Sequence, residues 1–73
     1  MLDFPVRVER SAPTSLQIQL TEHLRRAILD GRLAAGMRLP STRTLAAEAG
    51  VSRNVALAAY DELFAEGYVE GRH

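Results

Sequence analysis

Three residues, Gly50-Val51-Ser52, separate two stretches of helical character, and that short connection limits what this chain can fold into. Glycine accepts a left-handed backbone at little cost, so the chain can reverse direction at Gly50. Ser52 is an N-cap residue that opens a new helix at once. Upstream, Ser41 caps a helix expected over 42–49; downstream, the helix is expected from Arg53 to about Glu66, with Gly67 closing it. Two helices joined this tightly make a helix-turn-helix. Ala46, four residues before the glycine, supplies the small side chain needed where the helices cross, and Val51 plugs the space between them. A side chain at Gly50 is expected both to strain the backbone and to push the helices apart.

The third helix carries an inward stripe of Ala56, Ala59, Tyr60 and Leu63 at i, i+3, i+4, i+7. Arg53, Asn54 and Leu57 are left on the outward face, with Val55 at its edge. Arg53 and Asn54 stand at the helix N-terminus, where recognition helices meet base edges. Arginine pairs bidentately with guanine, and asparagine with adenine. The Ser52 hydroxyl and the helix N-terminus suit a phosphate, although Ser52 also serves as a plain cap. Taken singly, a helical stripe is core and an outward arginine is a solvated side chain; the combination of cap, small residue, glycine, cap and stripe is what argues for the motif.

Ahead of it, an earlier helix starts at Thr14 or Ser15. Thr14-Ser15-Leu16-Gln17 fits a capping box in which Thr14 reaches forward and Gln17 reaches back. Leu16, Leu20, Leu24, Ala27 and Ile28 recur at helical spacing, and Asp30-Gly31 stops the helix. Residues 1–13, with Pro5, Pro13, Val6 and Val8, read as an extended or flexible arm. Met37-Arg38-Leu39 could form an edge strand stopped by Pro40, and Tyr68-Val69-Glu70 alternates like a strand that leads into a turn at Gly71-Arg72-His73. The fold expected is mainly α, with the arm at 1–13 and a domain over 14–73.

Seventy-three residues bury roughly 60% of the unfolded surface, which leaves a thin core and no deep two-domain pocket. Cysteine is absent, which excludes disulfides, thiolate zinc sites and a cysteine nucleophile. His23 and His73 make no metal-ligand spacing. Gly31 to Gly36 has the spacing of a phosphate loop, but Met37 stands where lysine is required. No nucleophile, base and acid set is visible, so an enzyme is not expected. No apolar run approaches the roughly 20 residues that span a bilayer, and MLDFPVRVER has no secretory h-region; a cytoplasmic protein with no membrane partner is the expectation. The formal charge is zero, yet unevenly spread: Arg38 to Leu57 holds three arginines against Glu48, and Ala58 to Glu70 holds four acids and no arginine. A local basic patch is the footprint of nucleic-acid binding, so neutrality does not exclude it.

The stretches LQIQLTEHLRRAILDGRLAAGMRLPSTRTLAAEAGVSRN and AAYDELFAEGYVEGR resemble the winged helix-turn-helix DNA-binding domain of GntR-type bacterial transcription regulators over residues 16–72. DGRLAAGMRLPS resembles the family's G-x-L-x-x-G-x-x-L-P-S connector. STRTLA, AYDEL and GYVEGR are most similar to the MocR subgroup, whose members join this domain to an aminotransferase-like domain that binds pyridoxal 5′-phosphate. The resemblance implies a sequence-specific double-stranded DNA-reading head. It implies an operator with two half-sites, self-association in the whole regulator, and control by an effector domain outside this chain. It also implies no cofactor in this chain itself. The DNA-contacting positions it matches are Arg43 in the second helix, Ser52, Arg53 and Asn54 opening the third, and Arg72 and His73 at the wing tip. Many relatives have threonine where this chain has Val55, so an apolar contact, for example to a thymine methyl, replaces a hydroxyl contact there. The family's wing needs a second strand after the turn, so the wing expected within 73 residues is incomplete. The competing reading is a helical protein-interaction module that pairs through Tyr60, Phe64 and the acidic end without binding DNA.

Overall fold

Each helix begins at a serine whose hydroxyl replaces a missing backbone partner. In the computed structural model, which describes residues 7–33 and 39–68, Ser15, Ser41 and Ser52 all take extended backbone angles. Their Oγ atoms accept from the N–H groups of Ile18, Thr44 and Val55 at 3.2, 3.1 and 3.2 Å. The helices that follow are α1 (Leu16–Leu29), α2 (Thr42–Ala49) and α3 (Arg53–Ala65). Among the described residues there is no strand, and the chain is mainly α. The strands expected at 37–39 and 68–70 fall mostly on residues outside those described, and so does the wing.

The first cap differs from the expected capping box. Ser15, not Thr14, is the N-cap. Gln19 rather than Gln17 reaches back: its amide donates to the Glu9 and Thr14 carbonyls at 2.9 and 2.7 Å, and its carbonyl accepts from the Glu9 N–H. Residues 7–13 thereby lie against the body, with Val8 packed on the core and a turn closed by the Ala12 N–H to the Glu9 carbonyl at 3.2 Å.

The core is built where the stripes of the three helices meet. Leu20, Leu24 and Ala27 of α1, Leu33 beyond it, Leu45, Ala46 and Ala49 of α2, and Ala56, Ala59, Tyr60 and Leu63 of α3 are all buried. α3 packs against both other helices and is the central element. Alanine at 27, 46, 49, 56 and 59 lets the helix axes approach closely, so a thin core still excludes water. Tyr60 is 4% exposed, and its hydroxyl donates to the Pro40 carbonyl at 2.6 Å. Burial, reinforced by the Glu48 carboxylate, pushes the Tyr60 hydroxyl well above the usual phenol range, so it stays a neutral donor. That bond ties the middle of α3 to the residue preceding the α2 cap. Tyr60 is accordingly unavailable as the pairing surface of an interaction module; of the two aromatics assigned to that role, Phe64 alone is exposed.

Gly50 ends α2 at φ 71°, ψ 36°, with its N–H on the Ala46 carbonyl. The Val51 N–H returns to the same carbonyl at 3.0 Å. Val51 is half-buried against the core, as its place between the helices requires. The expected crowding by a side chain at Gly50 is corrected: a Cβ there meets nothing within 4 Å, so the demand for glycine is conformational, not steric. Gly50→Val should therefore lower stability by about 1–3 kcal/mol, and Gly50→Asn by less, because asparagine tolerates the left-handed region. Urea titrations of both variants check this; equal midpoints for valine and asparagine would contradict it. Tyr60→Phe should cost about 1–2 kcal/mol by leaving the Pro40 carbonyl without its donor. The same titration reads that loss, and an unchanged midpoint would remove the bond from the account.

Candidate nucleic-acid interface

The start of α3 presents polar side chains because its apolar positions are committed to the other face. Arg53 and Asn54 occupy its first turn, and both are exposed. Ser52, also exposed, spends its oxygen on the Val55 N–H; a hydroxyl that accepts through oxygen can still donate its proton, so capping and phosphate contact are compatible. Leu57 follows one turn later and is 45% exposed. Val55 is different. It is half-buried and packs against the core, turned inward from the face that Arg53, Asn54 and Leu57 share. Arg43, in the first turn of α2, is exposed on the neighbouring helix. Arg72 and His73 lie outside the described residues.

Neither α2 nor α3 has an acidic residue in its first turn. The partial positive charge at each helix N-terminus is therefore not neutralised by its own side chains, and arginines reinforce it. The acids of α3, Asp61 and Glu62, lie in its later turns, with Glu66 at its C-cap. Glu66 faces α1: Arg25 donates from Nη2 to both Glu66 carboxylate oxygens, at 2.7 and 2.8 Å, and from Nε to Oε1 at 3.0 Å. Arg25 also pairs with Glu22 and stands over the Tyr68 ring, 5.8 Å from its centroid. Hydrogen bonding from Arg25 holds the Glu66 carboxyl below the usual carboxylate range, while Glu62, hydrogen-bonded to Glu66, is held above it. The acidic end of α3 is thus occupied in joining helices, and the basic end is the one presented outward.

One residue at this interface was not visible in the sequence. Arg10 donates from Nη2 to the Gly50 carbonyl, which brings an exposed arginine of the N-terminal segment onto the turn between α2 and α3. It adds a cation at the C-terminus of α2, whose last turn has no basic residue of its own. Forty residues separate the partners, and no periodicity links them. His23 is exposed on α1. Among the described residues, no group of histidines and carboxylates is placed to hold a metal ion, and no helix is long and apolar enough to cross a membrane.

Comparison with known proteins agrees with this geometry. Residues 16–73 match the family described as bacterial regulatory proteins, gntR family. The chain is 44% identical over 69 residues to the HTH-type pyridoxine biosynthesis transcriptional regulator PdxR of Corynebacterium glutamicum, covering 94% of this chain and 15% of that protein. It is 49% identical over 65 residues to the probable rhizopine catabolism regulatory protein MocR of Rhizobium meliloti, covering 89% and 13%. It is 45% identical over 58 residues to the HTH-type transcriptional regulator TauR of Rhodobacter capsulatus, covering 80% and 12%. The chain thus spans about 15% of the length of the first of these relatives. With three helices, a glycine turn between the second and third, and a family match from the start of α1 onward, the chain belongs to the GntR family of bacterial regulatory proteins and is most similar to its MocR-type regulators.

Proposed function

We propose that this chain is the sequence-specific DNA-reading head of a MocR-type transcription regulator. The observation that carries the reading is the exposed Arg53 and Asn54 pair on the first turn of α3, directly after the left-handed turn at Gly50. In this reading α3 enters the major groove of double-stranded DNA, and Arg53 and Asn54 address guanine and adenine edges. α2 crosses the backbone, where Arg43 meets phosphate and Ser52 adds a hydroxyl. Arg72 and His73 approach the neighbouring minor groove from the wing. The protein works in the cytoplasm, on an operator with two half-sites, through self-association of the whole regulator.

Control belongs to residues outside this chain. The resemblance to MocR-type proteins points to a pyridoxal 5′-phosphate-binding effector domain. That cofactor is held through a lysine amine as a Schiff base, and all nine of the basic residues among these 73 are arginine. The chain's own residues therefore do not fit the cofactor, and its part is to bind DNA. A helical interaction module remains the second reading, now with Phe64 in place of the buried Tyr60 as its exposed aromatic.

Arg53→Ala should leave the fold intact and weaken binding to a selected site by about 1–3 kcal/mol, with relaxed preference at one base pair. Arg43→Ala should weaken all sequences more evenly and lower the salt slope. Titrations of both variants against a panel of single-base-pair changes at several salt concentrations separate the roles; a change of base preference with Arg43→Ala and none with Arg53→Ala would exchange them. The chain alone should bind at roughly 10⁻⁴–10⁻⁶ M at physiological salt, since one head with few arginines releases few counterions. Fusion to a dimerising domain should tighten binding to a paired site by at least about tenfold through effective concentration. Titration of chain and fusion on the same duplex measures this, and nanomolar specific binding by the monomer would contradict it. Self-association without affinity for any duplex would favour the interaction module instead.

A further inference from the structure

We infer that Leu57 reads the C5 methyl group of a thymine in the major groove; the inference rests on the DNA-binding reading above and assigns one base contact within it. The threonine-to-valine difference at position 55 directs attention first to Val55, but Val55 packs against the core and is committed to the fold. The exposed large apolar side chains are Ile18, Leu29, Leu57 and Phe64 among the described residues. Ile18 and Leu29 belong to α1. Phe64 stands about 10 Å beyond Leu57 along α3, between Asp61, Glu62 and Glu66, whose charge disfavours phosphate. Leu57 alone of the four lies near the start of α3.

Its angular position gives the contact its meaning. A helix turns about 100° per residue, so Leu57 projects about 40° from Arg53 and about 60° from Asn54, one turn further along. It therefore sits between the directions of a guanidinium fork and an amide, on one exposed face. Those two groups match the polar edges of guanine and adenine. An isobutyl group can neither donate nor accept, so it has no use for a phosphate or a polar base edge. The feature of the major-groove floor that it fits is the thymine methyl. Leucine in that place also selects against cytosine, which offers an amino group and no methyl.

The test removes the methyl and nothing else. Two pools of randomised duplexes, one made with thymine and one with deoxyuridine, are selected for binding to the chain fused to a dimerising domain, which lifts it above the non-specific range, and the enriched duplex is then titrated in both forms. The wild-type fusion is expected to enrich a thymine-bearing motif and to bind the uracil form about fourfold more weakly per half-site, the effect of one buried methyl. Leu57→Ala should bind the two forms equally, with an unchanged melting temperature because the side chain is exposed. Leu57→Met should retain the discrimination, and Arg53→Ala should lose the guanine preference while retaining it. Equal affinity of the wild-type fusion for both forms, or discrimination that survives in Leu57→Ala, overturns the assignment of Leu57 and leaves the DNA-binding reading standing. Failure of the wild-type fusion to enrich any duplex overturns both.

Discussion

The left-handed residue at Gly50 determines how α2 and α3 sit together, and the interface inherits its shape from that angle. The Gly50 and Val51 N–H groups both close on the Ala46 carbonyl, which ends α2 and lets Ser52 start α3 immediately. Three further features fix how α2 lies against α3. Ala46 and Ala49 allow close approach of the helices, Val51 fills the space between them, and the Tyr60 hydroxyl ties α3 back to Pro40 just ahead of the α2 cap. Arg10 adds a fourth from outside, on the Gly50 carbonyl itself. The corner is over-determined, as a reading head has to be if its side chains are to meet base edges at fixed distances.

The opposite end of α3 is held by charge. Arg25 of α1 reaches Glu66 at the C-cap of α3 with a forked set of hydrogen bonds and covers Tyr68 just beyond it. Gly67 lies between them at φ 83°, and the Tyr68 N–H closes on the Leu63 carbonyl at 3.0 Å. Exposed ion pairs contribute little stability on average, so the value of this one is geometric. It holds the end of α3 and Tyr68 just beyond it against α1. α1 thus serves α3 at both ends: through the Leu20, Leu24 and Ala27 stripe along its length, and through Arg25 at its exit.

The parts of this fold that sequence made legible are those decided within a few residues. Ser41, Gly50, Ser52 and Gly67 bracket α2 and α3 so closely that the bounds of α2 agree with expectation and α3 ends one residue early. The Ala56, Ala59, Tyr60, Leu63 stripe is buried throughout because a single period places it. Thr14 and Ser15 are adjacent hydroxyls, each able to cap, and the choice between them rests on which one meets the Ile18 N–H. Gln19 and Arg10 act on partners supplied by the N-terminal segment and by a turn 40 residues away, which no local pattern encodes. Val55 lies at the boundary of the apolar arc, where periodicity alone gives neither side; packing against the core decides it. That inward turn is why the inferred apolar base contact is assigned to position 57 and not to 55.

A chain of zero net charge approaching a polyanion needs its charges sorted, and α3 sorts them. Its 13 residues span about 20 Å, from Arg53 at the start to Glu66 just past the end. The Debye length at physiological ionic strength is about 8 Å, so the acidic end is more than two screening lengths from the basic one and does not cancel it. Glu66 and Glu22 are further balanced by Arg25, and Asp30 by Arg32 at 3.1 Å. Arg53 stands at the other end on a helix N-terminus free of acidic residues in its first turn, and Arg10 lies on the adjoining Gly50 turn. Along α3 the charge is therefore sorted, basic at its start and acidic at its end. In the proposed reading, repulsion of the acidic end would turn the helix start toward the groove, so that charge serves orientation more than attraction. In that reading, affinity comes from contacts made after docking and from a second head, the arrangement that suits a regulated reader of DNA.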